Sequence, residues 1–183
     1  MSDVELLHFS EENLHTGEGA RVLHQCGVPA TYKIHTHDFY ELYIMLRGGL
    51  RQIVNEVEYT QAEGDVVLIY PWENHVVIDH DLDTELYCLS ILTSEMERML
   101  DAYDVRERLR NMENRLIQLD SRALKDMDMM FRHMLLPSVL MREDYYRSAV
   151  GTIIQTFLIL LGVRLVSVGA LFFRWWILRK EPK

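Results

Sequence analysis

Apolar residues between Ala20 and Thr93 occur in short or alternating runs that are separated by turn-forming residues. The runs are about 5–9 residues long, which is typical of β-strands. The turn signals are spaced regularly and stand at Gly27-Val28-Pro29, Arg47-Gly48-Gly49, Asn55-Glu56, Glu63-Gly64-Asp65 and Pro71-Trp72-Glu73-Asn74. This pattern predicts an all-β unit, built as a sandwich or a barrel.

The apolar period changes to a helical one at Ser94. Ser94 and Glu97 have the spacing of a capping box, which predicts a first helix. A second helix is predicted from about Ser121 to before Pro137. Its apolar stripe, which indicates packing within the chain, consists of Leu124, Met127, Phe131 and Met134.

A third helix is predicted to begin near Asp144. Its apolar residues step by four and three, the rhythm of a helix that pairs with another helix. They are Tyr146, Val150, Ile153, Phe157 and Leu160. This stripe is our candidate for a contact between subunits, with packing in the chain's own core as the alternative.

Composition divides the chain at the same point as the period does. The 183 residues carry a net charge of −9, of which residues 1–93 contribute −12 and residues 94–183 contribute +3. We therefore expect a β-barrel at 1–93 and a helical extension at 94–183. Cys26 and Cys88 stand far apart and no signal peptide is evident, which favours a reduced, cytoplasmic protein over a disulfide framework.

The end of the chain is strongly apolar. Arg164 is the only charged residue between Ala149 and Phe173, and Trp175 and Trp176 follow. A membrane span fits this hydropathy. Arg164 would cost about 2.5–3.5 kcal/mol at the centre of a span, so we favour helix packing and keep a membrane-anchored binding protein as a third alternative.

The segment from His35 to Met45 carries the candidate chemistry. On a single strand His35, His37 and Glu41 project to one side, together with Phe39, Tyr43 and Met45. His75 starts another alternating run, and a strand lying opposite the first would bring it to the same place. Three imidazoles and a carboxylate form a ligand set for zinc, iron, manganese, nickel or copper.

The same residues match two motifs of a known family. His35-x-His37-x3-Glu41-x6-Gly48 resembles the first cupin motif, and Gly64-Asp65-x5-Pro71-x3-His75 resembles the second. More narrowly, the segments HTHDFYELYIMLRGG and EGDVVLIYPWENH are similar to the N-terminal ligand-sensing domain of AraC-type transcriptional regulators. Glu73 stands where the general second motif has glycine, which favours the regulators over the cupin enzymes.

The resemblance implies a mainly β fold with C-terminal helices: a double-stranded β-helix, the cupin jelly-roll barrel, followed by about three α-helices. It implies a sugar or another small effector in the barrel, dimerisation through the helices, and control of transcription. The helix-turn-helix DNA-binding domain that follows in the family is not recognisable before Lys183, so we expect DNA contact only through a domain missing from this chain.

Two questions about the site stay open in the sequence. The cluster of His35, His37, Glu41 and His75 holds a divalent transition metal in our preferred interpretation, and contacts ligand hydroxyls directly in the alternative. Tyr43, Phe39 and Trp72 are candidate ligand-binding residues, although each also suits ordinary packing. We assign no catalytic residue, and a metal-dependent dioxygenase or isomerase is the alternative function.

Overall fold

The computed structural model describes residues 7–9, 19–27, 33–112, 115–136, 148–149 and 151–158. Strands occupy most of the first half of the chain, as the alternating pattern predicts. They are β1 (Leu7–Phe9), β2 (Ala20–Cys26), β3 (His35–His37), β4 (Tyr40–Arg47), β5 (Leu50–Val54), β6 (Val57–Gln61), β7 (Asp65–Ile69), β8 (His75–His80), β9 (Glu85–Ile91) and β10 (Leu116–Gln118).

The strands form two five-stranded sheets that are mostly antiparallel. The first sheet has the order β1-β3-β8-β5-β6 and the second has the order β10-β7-β4-β9-β2. Apolar side chains of both sheets meet in one buried cluster, for example Leu50 and Val77 from the first sheet with Met45 and Ile69 from the second. The predicted jelly-roll barrel, a double-stranded β-helix, is confirmed.

Helices cover the outer face of the second sheet. They are α1 (Thr93–Ala102), α2 (Arg106–Arg110) and α3 (Ser121–Met134), and residues 148–149 and 151–158 are also helical. The side chain of Asp120 caps α3 by accepting hydrogen bonds from two backbone N–H groups. The predicted stripe of α3 is buried, with Phe131 stacked on Tyr87 of the sheet at 4.5 Å between ring centroids.

The start of α1 differs from the prediction. The helix begins at Thr93, and its N-cap position, Leu92, has no side-chain hydrogen bond, so the capping box at Ser94 is wrong. Glu97 instead contacts the Tyr40 hydroxyl on the sheet and Arg106 on α2. Tertiary contacts therefore replace the local cap. The short helix α2 was not predicted, because its residues show no helical spacing of apolar positions.

Two residues of the third predicted stripe are part of the chain's own core. Ile153 and Phe157 are buried in the cluster that joins the helices to the second sheet. Their interpretation as a subunit contact is therefore wrong. Tyr146, Val150 and Leu160 lie outside the described residues, as does the apolar segment 159–183. Within the part of the chain that the structure describes, no helix is both long and apolar enough to span a membrane.

Candidate metal centre

The two histidines of the first motif lie on one sheet, and the glutamate of the motif lies on the other. His35 and His37 are on β3 of the first sheet, whereas Glu41 is on β4 of the second. The prediction that they share one face of one strand is wrong, because the chain bends at Asp38 and Phe39 and crosses between the sheets there. The three side chains nevertheless meet, since both strands turn these residues towards the barrel interior.

His75 reaches the same place from a neighbouring strand. It is the first residue of β8, and its Cα is paired directly with that of His35 in the antiparallel register of the first sheet. The two rings lie 3.9 Å apart between centroids. The predicted convergence therefore occurs, with the three histidines together on the first sheet and only Glu41 contributed by the second.

Glu41 is the hub of the cluster. Its Oε2 atom lies 3.5 Å from Nε2 of His37 and 3.6 Å from Nε2 of His75. Ligand atoms of His35, Glu41 and His75 all lie within 4.8 Å of one another. All four residues are buried, with 1–7% of each exposed. These separations leave room for a small cation among His35, Glu41 and His75, and His37 adjoins this group through Glu41.

Backbone carbonyls fix the orientation of two rings. Nδ1 of His37 donates to the carbonyl of Phe39 at 2.7 Å, and Nδ1 of His35 donates to the carbonyl of Lys33 at 3.1 Å. A carbonyl only accepts, so each neutral ring carries its proton on Nδ1 and presents a lone pair on Nε2. This is the arrangement in which a metal-binding histidine is usually held.

Several polar atoms of the cluster have no hydrogen-bond partner among the described residues. They are Nε2 of His37, both ring nitrogens of His75 and Oε2 of Glu41. A buried polar atom without a partner costs about 1–3 kcal/mol. The lone pair on Nε2 of His37 faces the carboxylate of Glu41 here, and a cation placed between them removes the repulsion.

The protonation states suit metal ligands. Burial alone would raise the pKa of Glu41, but the facing rings of His37 and His75 and the thiol of Cys88 lower it to about 2. Burial lowers the pKa of His75 to about 3 and also lowers that of His35, although the Glu41 charge acts in the opposite direction. At neutral pH Glu41 is therefore an ionised carboxylate, and His35 and His75 are neutral imidazoles.

The three candidate ligand-binding residues lie in different surroundings. Tyr43 is buried in the barrel, 6.3 Å from His75 between ring centroids, and burial together with the Glu41 charge raises the pKa of its phenol well above the usual value. Phe39 stacks on His37 at 4.3 Å between centroids. Tyr43 therefore offers a hydroxyl that stays protonated, and Phe39 supports a histidine ring.

Trp72 lies away from the cluster. Its side chain is 67% exposed and borders a cavity of about 340 Å³ together with Tyr40 and Tyr70. Tyr40 belongs to the helix-side core and its neighbour Glu41 points into the barrel, so this cavity lies on the opposite face of β4. The structure does not bring the indole ring of Trp72 together with the imidazoles, although its backbone N–H donates to the carbonyl of His37 at 2.7 Å.

Sequence reasoning missed Cys88 as a neighbour of the cluster. Its Sγ lies 3.0 Å from Oε1 of Glu41 and donates to it, and burial raises the pKa of the thiol well above its usual value. Cys88 faces Tyr43 in the register between β4 and β9. Alternation along β9 places Cys88 inside the barrel, but only the pairing of two distant strands brings it to Glu41.

The turn before His75 explains the departure from the second motif. Glu73 is buried and accepts hydrogen bonds from the Tyr70 N–H at 2.9 Å and from Nδ2 of Asn55 at 3.0 Å. It also pairs with Arg115, next to β10. A glycine at this position would leave these donors unmatched, so Glu73 has a structural role in holding His75 at the start of its strand.

Gly64 of the second motif is required by the backbone. It has a φ of +86°, and a Cβ added there would lie 2.8 Å from the carbonyl oxygen of Leu119. Only glycine adopts this conformation without strain and allows so close an approach. The motif glycine therefore fixes the turn that leads into β7.

A cavity of about 460 Å³ lies beside the backbone of His75, on the outer face of the first sheet, because Ile53 and Val76 alternate with the barrel residues Val54 and Val77. The segment before β3, the β5–β6 turn and the start of β8 border it, and its lining consists of Ile34, Ile53, Asn55, Glu56, Asn74, His75 and Val76. This volume falls in the usual range of small-molecule sites. The cavity combines apolar strand residues with amide and carboxylate groups.

Solved structures with a similar fold include three proteins of different kinds. They are apo ToxT K231A from Vibrio cholerae (13% identity, TM-score 0.47, 71% of this chain and 54% of that chain), an RmlC-like cupin from Shewanella frigidimarina (14%, 0.35, 44% and 72%) and the plu4264 protein from Photorhabdus luminescens (20%, 0.30, 48% and 64%). The chain thus spans less than two thirds of the length of two of them.

No curated protein matches the chain. The family model that describes the AraC-like ligand-binding domain does match, over residues 20–138. That range contains both cupin motifs, the barrel strands from β2 onwards and the helices α1 to α3. The chain therefore belongs to the AraC-like ligand-binding domain family.

Proposed function

We propose that this chain is a sensor that binds a divalent transition metal and a small effector in its barrel and reports them through its helices. The observation that carries the proposal is the cluster of unpartnered buried atoms on His37, Glu41 and His75. A stable fold gains nothing from such atoms unless a ligand satisfies them.

A divalent metal fits the donors present. In this proposal His35, His37, Glu41 and His75 hold the ion, and zinc, iron, manganese, nickel and copper all accept such a set. One ionised carboxylate leaves the occupied site with a net charge of +1. The bound ion would supply an electrophilic centre that attracts an anionic or hydroxyl-rich molecule.

The rim of the barrel beside His75, next to this cavity, is the proposed entry for that effector. Asn55, Glu56 and Asn74 supply hydrogen-bonding groups, while Ile34 and Ile53 supply an apolar surface. Sugars present hydroxyls on one face and C–H groups on another, so this mixture favours a sugar or a similar polyol. We expect Tyr43 to contribute its protonated hydroxyl from inside the barrel.

The bend between β3 and β4 is the proposed path of the signal. Its three carbonyls are all engaged: that of His37 accepts from the Trp72 N–H at 2.7 Å, that of Asp38 from the Thr93 hydroxyl at 2.6 Å, and that of Phe39 from the His37 ring. Thr93 is the first residue of α1. A ligand that reorients His37 therefore acts directly on a helix end.

The output in this proposal is control of transcription in the cytoplasm by a homodimer that contacts DNA through a helix-turn-helix region. Signalling requires that the ligand bind two helix arrangements with different affinity. Because Ile153 and Phe157 are occupied within the chain, pairing would use other helix surfaces. Met129 on α3 is 66% exposed and is our candidate for such a surface.

Metal analysis tests the site. Protein purified without chelator is compared with His35→Ala, with Glu41→Ala and with His80→Ala, which removes a histidine outside the cluster. We expect about one equivalent of metal at the barrel site in wild type and His80→Ala, and at least a 100-fold weaker affinity in the other two, since even outer-shell changes cost 10–100-fold. Equal metal content in all four would remove the site.

Ligand screening tests the effector. A panel of sugars and organic acids is added to the metal-loaded protein, and an effector present at about 100 times its Kd raises the free energy of unfolding by about 2.7 kcal/mol. The shift should disappear in Glu41→Ala. If no small molecule stabilises the protein although metal binds, the sensing part of the proposal fails and the metal part survives.

A metal-dependent cupin enzyme is the second candidate, and the His/Glu cluster itself favours it. Such a dioxygenase or isomerase needs a general acid or base beside the metal. Near Tyr43 the described titratable groups are Glu41, His75 and Cys88, and the first two are proposed ligands. Burial holds the thiol and the phenol protonated, so neither serves as a general base at neutral pH. Conversion of any panel compound by the metal-loaded protein would favour the enzyme.

A further inference from the structure

A second group of metal-binding side chains lies on the other face of the second sheet. His24 and Cys26 are two residues apart on β2, so they project to the same side, and Cys26 is paired with Glu85 of β9 in the antiparallel register. Ala20 and Val22 belong to the same alternating set and are part of the helix-side core. The group therefore faces α3 and not the barrel interior.

The three ligand atoms are close together. Nε2 of His24 lies 2.8 Å from Oε1 of Glu85 and 3.8 Å from Sγ of Cys26, and all three atoms lie within 4.8 Å of one another. Around a tetrahedral zinc ion with ordinary bond lengths, such atoms are about 3.3–3.6 Å apart. Shifts of a few tenths of an ångström to about 1 Å in exposed side chains produce that geometry.

We propose that His24, Cys26 and Glu85 form a second site for a thiophilic divalent ion such as Zn²⁺, separate from the barrel cluster. The ion displaces the thiol proton of Cys26 to solvent and takes the place of the hydrogen bond between His24 and Glu85. The thiolate and the carboxylate then neutralise the ion, and His24 supplies a neutral nitrogen. A water molecule completes four ligands.

The site competes with two arginines. Arg47 and Arg132 each place a nitrogen 3.7 Å from a carboxylate oxygen of Glu85. Coordination by Glu85 weakens these ion pairs, and Arg132 belongs to α3, where Asp128 also holds it at 2.9 Å. Metal binding therefore weakens the ion pair between Glu85 on the sheet and Arg132 on α3. In this way a metal bound at this site affects the helices independently of the barrel site.

Cadmium is the probe that distinguishes the two sites. A thiolate bound to Cd²⁺ produces an ultraviolet charge-transfer band, which a ligand set of histidine and glutamate does not. The full-length wild type is titrated beside Cys26→Ser, His24→Ala, Cys88→Ser and His80→Ala. We expect the band in wild type, Cys88→Ser and His80→Ala, its loss in Cys26→Ser, and at least a 100-fold weaker affinity in His24→Ala.

Three results would overturn the proposal: no thiolate band in wild type, a band that persists in Cys26→Ser, or an unchanged affinity in His24→Ala, which would show a thiol acting alone. Alkylation provides a second readout in unmodified protein. Cys26 is exposed and Cys88 is buried, so iodoacetamide reports on Cys26, and Zn²⁺ should slow its reaction. Zn²⁺ that leaves the alkylation rate unchanged would contradict the proposal as well.

Discussion

Glu41 and Glu73 are two buried carboxylates with opposite surroundings. Each is 7–8% exposed. Glu73 accepts from the backbone of Tyr70 and the amide of Asn55 and pairs with Arg115. Glu41 receives a hydrogen bond from Cys88, whereas its other oxygen has no hydrogen-bond partner among the described residues.

The difference separates a carboxylate that builds the fold from one that awaits a ligand. A matched buried charge fixes the geometry around it, and here Glu73 fixes the turn that leads into His75. A buried carboxylate oxygen without a hydrogen-bond partner is a cost to folding, and natural proteins keep such violations mainly at functional sites. The comparison therefore supports the proposal that Glu41 binds a ligand, without reference to any relative.

The largest expected effect follows from removing the matched charge. Glu73→Gln leaves Arg115 without its partner and turns an amide group towards existing donors, so we expect a loss of about 3 kcal/mol in the free energy of unfolding. Urea denaturation measures it. The exposed Glu63→Gln is the control and should change stability by less than about 0.5 kcal/mol. A similarly small change in the free energy of unfolding of both variants would show that Glu73 has no structural role.

Lowering the pH should destabilise the protein through His75, whose ring nitrogens have no hydrogen-bond partner among the described residues. The folded state holds the pKa of His75 at about 3, below the ordinary value of 6.5, so the unfolded chain binds more protons between these values. The free energy of unfolding of metal-free protein should therefore fall as the pH drops from 6.5 towards 3.

The depressed pKa of Glu41 acts in the same direction at lower pH, because the folded state favours its ionised form and this stability is lost as the pH falls towards 2. His75→Gln should flatten the dependence between pH 6.5 and 4, measured by denaturation with a chelator present. The same slope in wild type and variant would show that His75 does not titrate as expected.

The sequence allowed the cluster to be predicted, but not the path of the backbone that brings its residues together. Alternation along a strand determines which side chains share a face, so His35, His37 and Glu41 were correctly expected to meet. It does not determine where a chain changes sheets, so the crossing at Asp38 was missed. The crossing depends on hydrogen bonds to Trp72 and Thr93, which are distant in sequence.

The helices show the same limit. The stripe from Leu124 to Met134 predicts α3 because helix period and burial coincide there. The start of α1 depends on contacts of Glu97 with Tyr40 and Arg106, and local pattern contains no information about them. The packing partner of Ile153 was likewise predicted wrongly as a second subunit. The same helical spacing of apolar residues occurs in helices that pack in a core and in helices that form a dimer.

Cys88 offers a smaller test, because it supports Glu41 without belonging to the ligand set. Cys88→Ala removes the donor to Oε1 of Glu41, and we expect metal to bind about 10-fold more weakly. Cys88→Ser keeps a donor and should lose less. Competition against a chromophoric chelator measures both, in a Cys26→Ser background so that one thiol site is absent. Equal affinities in all variants would mean that Cys88 only fills space.

The smallest expected effect is the most informative. In the presence of a chelator, Glu41→Gln should lie within about 1 kcal/mol of wild type, because Oε2 has no hydrogen bond to lose and the new amide is able to donate to Nε2 of His37 or His75. Urea denaturation beside Glu73→Gln measures the contrast. A loss as large as that of Glu73→Gln would make both carboxylates structural. A near-zero change in the free energy of unfolding, together with the loss of metal binding, would show that the carboxylate of Glu41 serves ligand binding. A buried carboxylate that does not contribute to stability is retained for what it binds.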